Sequence, residues 1–287
     1  MKKIISLSLA AIMTAAALTA CTSSSASATT AAPAPANQLE RIRQKGVLTV
    51  ATEPYFAPEE FIDPNKTGQE QYVGADIELA KVIAAKIGVE LEIVPLEFTA
   101  VLSSVTEGKY DLAISALAYT PARAEAAELS KGYFFTKDEG YGLITKTAIA
   151  DSIKGPEDIA DRTIVTQSGS LQESLVNAEI PKYKEFKRVS SMDDAFLAVR
   201  EGKADAAAVA IENAKLYVLN NPDADMAIVE PFRFNVPEEF DGLRVGAKKG
   251  ETELIELVNE CIDEVLADGQ YQKWYEEYSA YAAELGI

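Results

Sequence analysis

The chain has 287 residues, 48% hydrophobic and 25% charged, enough for one large or two medium cores of a soluble body. Its net charge is −18 and it has no histidine. The acidity argues against nucleic acid, whose phosphates would be repelled, and against a basic patch for anionic lipid. The missing histidine removes the commonest metal ligand and the commonest general base, so neither a metal nor a cofactor is expected.

At the start of the chain, Lys2-Lys3 precede an apolar run from Ile4 to about Ala17, then Leu18-Thr19-Ala20-Cys21. Charged start, apolar middle and small residues before a cleavage point make a secretory signal over residues 1–20. A cysteine straight after Leu-Thr-Ala resembles a bacterial lipobox. That resemblance implies a diacylglycerol on the Cys21 sulfur and an extracytoplasmic protein anchored to the cell membrane by lipid. The alternative is an ordinary signal peptide that happens to contain a cysteine. No other stretch is apolar enough to span a membrane. Residues 22–37 are Ser, Ala, Thr, Pro and a final Asn without a charge, and read as a flexible tether.

The folded body begins near Gln38. Val47–Ala51 reads as a buried strand, followed by a Pro- and Glu-rich loop from Thr52 to Gln71. Asp76 to Ile87 carries Ile77, Ala80, Ile83, Ala84 and Ile87 on one helical face, stopped by Gly88. Leu91–Val94 is the next strand, Ala100–Glu107 a short helix and Leu112–Ser115 a third strand. Thr120-Pro121 reads as an N-cap followed by proline at the first helical position. A second series follows Phe134-Phe135, with strands at Gly142–Lys146, Thr163–Thr166 and Ala206–Ala210. Its helices are placed at Leu171–Ala178, Met192–Glu201 and Glu212–Leu219, and a further strand ends near Val229. Leu243–Ala247 returns as a strand. The helix from Glu251 carries the stripe Leu254, Leu257, Val258, Cys261, Val265 and Leu266, so Cys261 reads as a buried structural thiol. With Cys21 acylated, no intrachain disulfide is possible. Gly269 separates a last helix bearing Tyr271, Trp274 and Tyr278. Strands alternating with helices predict a mostly parallel α/β architecture.

Seven short segments occur in family order: Ile42–Val50, Phe56-Ala57-Pro58, Val73–Ala80, Glu107–Leu112, Thr120-Pro121-Ala122-Arg123, Gly202–Ala206 and Asp268–Trp274. In register over nearly the whole body, they resemble the polar amino-acid branch of the extracytoplasmic solute-binding proteins that serve ABC importers. The resemblance implies a two-lobe periplasmic-binding-protein-like fold of type II with two hinge crossovers. Lobe one would comprise 38–134 plus 241–287, and lobe two 135–240. A small ligand would sit between lobes that close on it, and the closed monomer would dock on a membrane permease.

The same resemblance supplies candidate site residues. Arg123 would grip a ligand carboxylate with two parallel bonds, a geometry lysine cannot match. Gln167-Ser168-Gly169-Ser170 would offer amide hydrogens at a helix start as a second clamp, with Leu171 where many members have threonine. Phe56 would cover the ligand's side chain or ammonium, or else pack in a core under the long loop. Ser115, Ala116 and Ala118 end a strand where some relatives have three serines. Ala210 stands where the family usually has an aspartate for the α-ammonium, and Glu212 could take over or simply start a helix. Glu53 matches a position where members selective for basic amino acids carry an aspartate. Glu59 replaces an aromatic and Glu60 adjoins it, and any of these acids could also be solvated surface. Together, the acids and Phe56 favour a ligand bearing positive charge.

Three functions are weighed. The first is a non-catalytic binding protein for a polar, possibly cationic, amino acid or related amine or carboxylate. The second is a dehydratase-type enzyme on the same fold, which would need a carboxyl group of raised pKa as general acid. The third is a ligand-sensing module working through a separate partner.

Overall fold

The computed structural model describes residues 36–135 and 139–287. The signal sequence, Cys21 and all but the end of the tether lie outside the described residues. Among the described residues, no helix is long and apolar enough to cross a membrane.

The body opens with α1 (Gln38–Lys45), where the Asn37 side chain accepts from the Glu40 N–H and left-handed Gly46 ends the helix. Then come β1 (Val47–Thr52), the short strands β2 (Tyr55–Phe56), β3 (Glu60–Ile62) and β4 (Tyr72–Val73), α2 (Ala75–Ile87) and β5 (Glu90–Pro95). The series continues with α3 (Phe98–Glu107), β6 (Leu112–Ala118), α4 (Pro121–Ala126) and β7 (Ala127–Leu129). The Thr120 hydroxyl accepts from the Arg123 N–H and Pro121 occupies the first turn of α4. The second series is β8 (Tyr141–Lys146), α5 (Thr147–Ala150), β9 (Thr163–Gln167), α6 (Leu171–Glu179), β10 (Glu185–Val189), α7 (Met192–Arg200), β11 (Ala206–Ala210), α8 (Ile211–Asn220) and β12 (Met226–Ile228). The chain then returns through β13 (Leu243–Lys248) to α9 (Thr252–Ala267) and α10 (Gln270–Leu285).

Two five-stranded sheets result, ordered β5-β1-β6-β13-β7 and β10-β9-β11-β8-β12. Each has two parallel pairings on one side, β5-β1-β6 and β10-β9-β11, built from strand–helix–strand units. Each has two antiparallel pairings on the other, around β13 and β8. Those two strands are the ones reached when the chain passes from one sheet to the other, and they run against the strands they join. The first sheet takes its strands from residues 47–129 and 243–248, the second from 141–228.

Several short elements were invisible to the apolar pattern. β10 is a charged edge strand, Glu-Phe-Lys-Arg-Val, paired only with β9, and such charge protects an exposed sheet edge. Within the expected 52–71 loop, β2 and β3 pair with each other and β3 pairs with β4. Gly74 makes this packing possible: its φ is +131°, and a Cβ there would sit 2.1 Å from the Glu59 carbonyl oxygen.

The first sheet's core joins Leu48, Val50, Leu112 and Ile114 to α2 and to the apolar stripe of α9, including fully buried Cys261. Separate clusters cover the two faces of the second sheet, around Leu143 and Ile164 on one and Ile144 and Val165 on the other.

Candidate functional site

A cavity, partly open to solvent, lies where β1, β6, β9 and β11 end. Crevices at the carboxyl ends of parallel strands are where open α/β sheets place ligands, because loops there supply side chains while the sheets hold them rigid. The first sheet and its loops bring Glu53, Phe56, Glu59, Ser115, Ala116, Ala118 and Arg123 to this cavity. The second brings Gln167, Ser170, Leu171, Ala210 and Glu212. Ser168 and Gly169 are not in its lining.

One wall is acidic and dry. Glu53, Glu59 and Glu60 are 2%, 3% and 1% exposed, so the reading of these acids as solvated surface does not hold. Ser115 organises two of them: its hydroxyl accepts from the Glu53 N–H at 2.9 Å and donates to Glu60 Oε1 at 3.0 Å. Glu53 Oε1 and Glu60 Oε2 are buried without a hydrogen-bond partner. Burial first, and then the Asp193 and Asp194 charges, push the Glu53 carboxyl up to about 8, while the nearby Gln167 amide pulls the other way. Burial and the Asp76 charge likewise raise Glu59 to about 8. Glu60 is pushed well above the usual carboxylate range by burial, Asp76, Glu59 and Glu53. Burial disfavours the charged form of each, so all three carboxyls are shifted toward their protonated forms.

Asp76 underlies this wall. It accepts from the Tyr271 hydroxyl at 2.7 Å, the Tyr133 hydroxyl at 2.9 Å and the Ala116 N–H at 2.8 Å. The last bond holds Ala116 at φ +44°, a left-handed conformation that a side chain disfavours and that surrounding structure must enforce. Ser115, in the middle of β6, sits between Glu53 and Glu60.

Among the described residues, Arg123 is the one lysine or arginine in the cavity's lining, and its donors are partly engaged already. Arg123 Nη1 donates to the Ala118 carbonyl at 2.6 Å and Nη2 to the Gly169 carbonyl at 2.8 Å. The guanidinium also lies 5.4 Å from the centre of the Phe98 ring. Burial lowers its pKa to about 10, so it stays charged at neutral pH. Two of the five guanidinium N–H groups are thus used, leaving three for a ligand.

The expected amide clamp is corrected by the structure. The Gly169 N–H donates to Glu173 Oε2 at 2.7 Å and the Ser168 N–H to the Val189 carbonyl at 2.9 Å. The Ser170 hydroxyl caps α6 through the Glu173 N–H. A capping carboxylate from the next turn has taken the place foreseen for a ligand anion. Gly169 acts instead through its carbonyl, which ties the second sheet's loop to Arg123. Its φ of +75° and its approach to Thr99 and Leu102 leave little room for a side chain.

Phe56 lines the cavity and also packs against the second sheet's core. Ala210 lines the cavity and offers no charge; Glu212, half-buried, lines it too.

Five lining residues had not been singled out: Phe98, Tyr141, Gln172, Asn213 and Leu243. Asn213 matters most. Its amide donates to the Ala57 carbonyl at 2.7 Å and to Glu59 Oε2 at 3.3 Å, joining α8 to the β2–β3 loop. Its signal was faint: one polar residue on a buried stripe between Ile211 and Ala214.

Two α/β sheets with a charged cavity at the meeting of their strand ends define a two-lobed binder of small solutes. Residues 48–281 match the bacterial extracellular solute-binding proteins, family 3, and the chain belongs to that family. A probable histidine-binding protein of Campylobacter jejuni is 28% identical over 240 residues, 80% of this chain and 84% of that one. An amino acid ABC transporter substrate-binding protein from Streptococcus pneumoniae, solved bound to L-arginine, superposes with a TM-score of 0.77 at 30% identity. That match covers 85% of this chain and 98% of the pneumococcal one. An ancestral amino acid-binding protein described as a precursor of cyclohexadienyl dehydratase also superposes, with a TM-score of 0.72 at 29% identity, covering 84% and 98%. The chain is a solute-binding protein.

Proposed function

We propose that this protein captures a cationic amino acid outside the cytoplasm and hands it to the permease of an ABC importer. The observation that carries this reading is the pair of buried, unpartnered carboxylate oxygens, on Glu53 and Glu60, in a cavity whose far wall holds Arg123. A guanidinium or ammonium side chain would neutralise the acidic wall, and the ligand's carboxylate would take the free N–H groups of Arg123. Glu59, at the cavity beside Asn213, stands in for the aspartate missing at Ala210 as acceptor for the α-ammonium. The relatives named for histidine and arginine support this class of ligand.

The lobes are 38–134 plus 241–287 and 135–240, and the contacts of Arg123 with Gly169 and of Asn213 with Ala57 hold them together around the ligand. The protein works as a monomer, lipid-anchored through Cys21 and without catalysis. A thermal-shift screen of amino acids, amines and small carboxylates tests the reading. L-Arginine or L-lysine is expected to raise Tm, since ligand at about 100 times Kd adds about 2.7 kcal/mol to the folded state. Stabilisation by neutral or anionic solutes alone would overturn it.

A dehydratase reading has one observation in its favour, the proton-holding carboxyls at the cavity. Turnover of a cyclic carboxylic acid by the purified protein would replace binding with catalysis as the function.

A further inference from the structure

Beyond Glu53 the acidic surface does not stop. A second, open groove lies on the other side of this residue, between the two sheets' loops. From the first sheet it is lined by Glu53, Tyr55 and Glu97, and from the second by Ser191, Asp193 and Asp194. Glu53 therefore lines both spaces and separates them. It is 2% exposed and its Oε1 has no partner.

None of the four carboxylates in the groove forms an ion pair with a described lysine or arginine. Asp193 and Asp194 sit in the first turn of α7, where the helix dipole makes negative charge inexpensive, yet both face the groove. Beside them Tyr55 is 50% exposed, an aromatic surface of the kind that stacks on ammonium groups. Uncompensated acids, an open aromatic ring and a buried carboxylate with a bare oxygen suit a cation.

We infer that this groove is an outer subsite for a second cationic group, so that the protein accepts elongated aliphatic di- and polyamines whose near end lies in the inner cavity and whose far end lies among Asp193, Asp194 and Tyr55. The inference rests on the cation-binding reading of the inner cavity. It adds a length preference that a single-residue amino acid cannot show.

Calorimetric titration of the full mature protein tests it with four probes: L-arginine, the four-carbon diamine putrescine, an eight-carbon diamine of equal charge, and spermidine. The eight-carbon diamine and spermidine are expected to bind about five- to tenfold more tightly than putrescine, the gain of one or two exposed ion pairs. In the double variant Asp193→Asn, Asp194→Asn that advantage is expected to vanish, while L-arginine affinity changes only by the smaller amount that follows from removing two charges that act on Glu53. Tyr55→Leu, which leaves the charges alone, is expected to reduce the same advantage with no effect on L-arginine. A flat diamine series in the unaltered protein overturns the inference and leaves the inner site standing. So does an equal weakening of L-arginine and spermidine in the double variant, which would reduce the groove to a long-range field. Failure of all four probes to bind would overturn the inner cation site and the outer one with it.

Discussion

The two walls of the cavity are built to opposite plans. On the acidic wall, Glu53 and Glu60 each keep an oxygen with no hydrogen-bond partner among the described residues. On the other wall, Arg123 spends two donors on carbonyls and the Gly169 amide is given to Glu173. On the proposed function, a cation completes the acidic wall. Arg123 links the Ala118 and Gly169 carbonyls and, on the same proposal, also receives the ligand's carboxylate. Affinity for a cation should therefore be governed by the first wall, and closure of the lobes by the second.

The largest expected effect comes from Arg123→Ala, which removes the anion partner and the strut together. Calorimetry should show a loss of about 100-fold or more in affinity for L-arginine, as for a buried charge-assisted pair. X-ray scattering should show the variant failing to compact on adding solute. A variant that binds weakly but still compacts would separate the two roles. Glu60→Gln, nearly isosteric, should cost about 10- to 100-fold in affinity for a cation while closure at saturating solute persists. An unchanged affinity would move the cation elsewhere on the wall. Asn213→Ala should cost less, about three- to tenfold, because it loses two cross-lobe bonds and no charge.

Acidity offers another way to separate the walls. Glu53 and Glu59 hold protons up to about 8, against 4.5 when unperturbed. Binding a cation favours their ionised forms, so protons are released and affinity rises from pH 6 to pH 8, by up to about tenfold per unit for each proton displaced. Calorimetry in buffers of different ionisation enthalpy counts those protons; a pH-independent affinity would show that the carboxyls stay protonated around the ligand. The sign for stability is the reverse. The raised values favour the folded state fully below pH 4.5, and that contribution is lost as pH rises through 8. The ligand-free protein should melt at lower temperature at pH 9 than at pH 6, and Glu59→Gln should flatten that dependence. The smallest effect expected is from Ala210→Asp, a gain of a few-fold for ordinary α-amino acids if their ammonium reaches this position. No gain would assign the ammonium to Glu59.

Much of this was legible in the chain. The α2 stripe, Gly88 and the Thr120-Pro121 cap each announce a helix boundary through local chemistry, and the structure has them where the residues put them. The seven motifs contain Arg123 and Phe56, and the family resemblance they carry brought Glu53 forward beside them. What escaped was non-local. Asn213 meets Ala57 across 156 positions, and no periodicity encodes that meeting. β10 escaped because an edge strand needs few apolar residues.

The sequence alone determined the alternation of strands and helices, the acidity and the residue types available to the site, because these depend on near neighbours and composition. Only the tertiary structure decided which carboxylates are dry, which amides are already taken and which side of Glu53 faces a second groove. Burial and partnering are properties of atoms brought together from distant positions. Glu53, Ser115 and Glu60 become one acidic wall only when the end of β1, β6 and β3 converge.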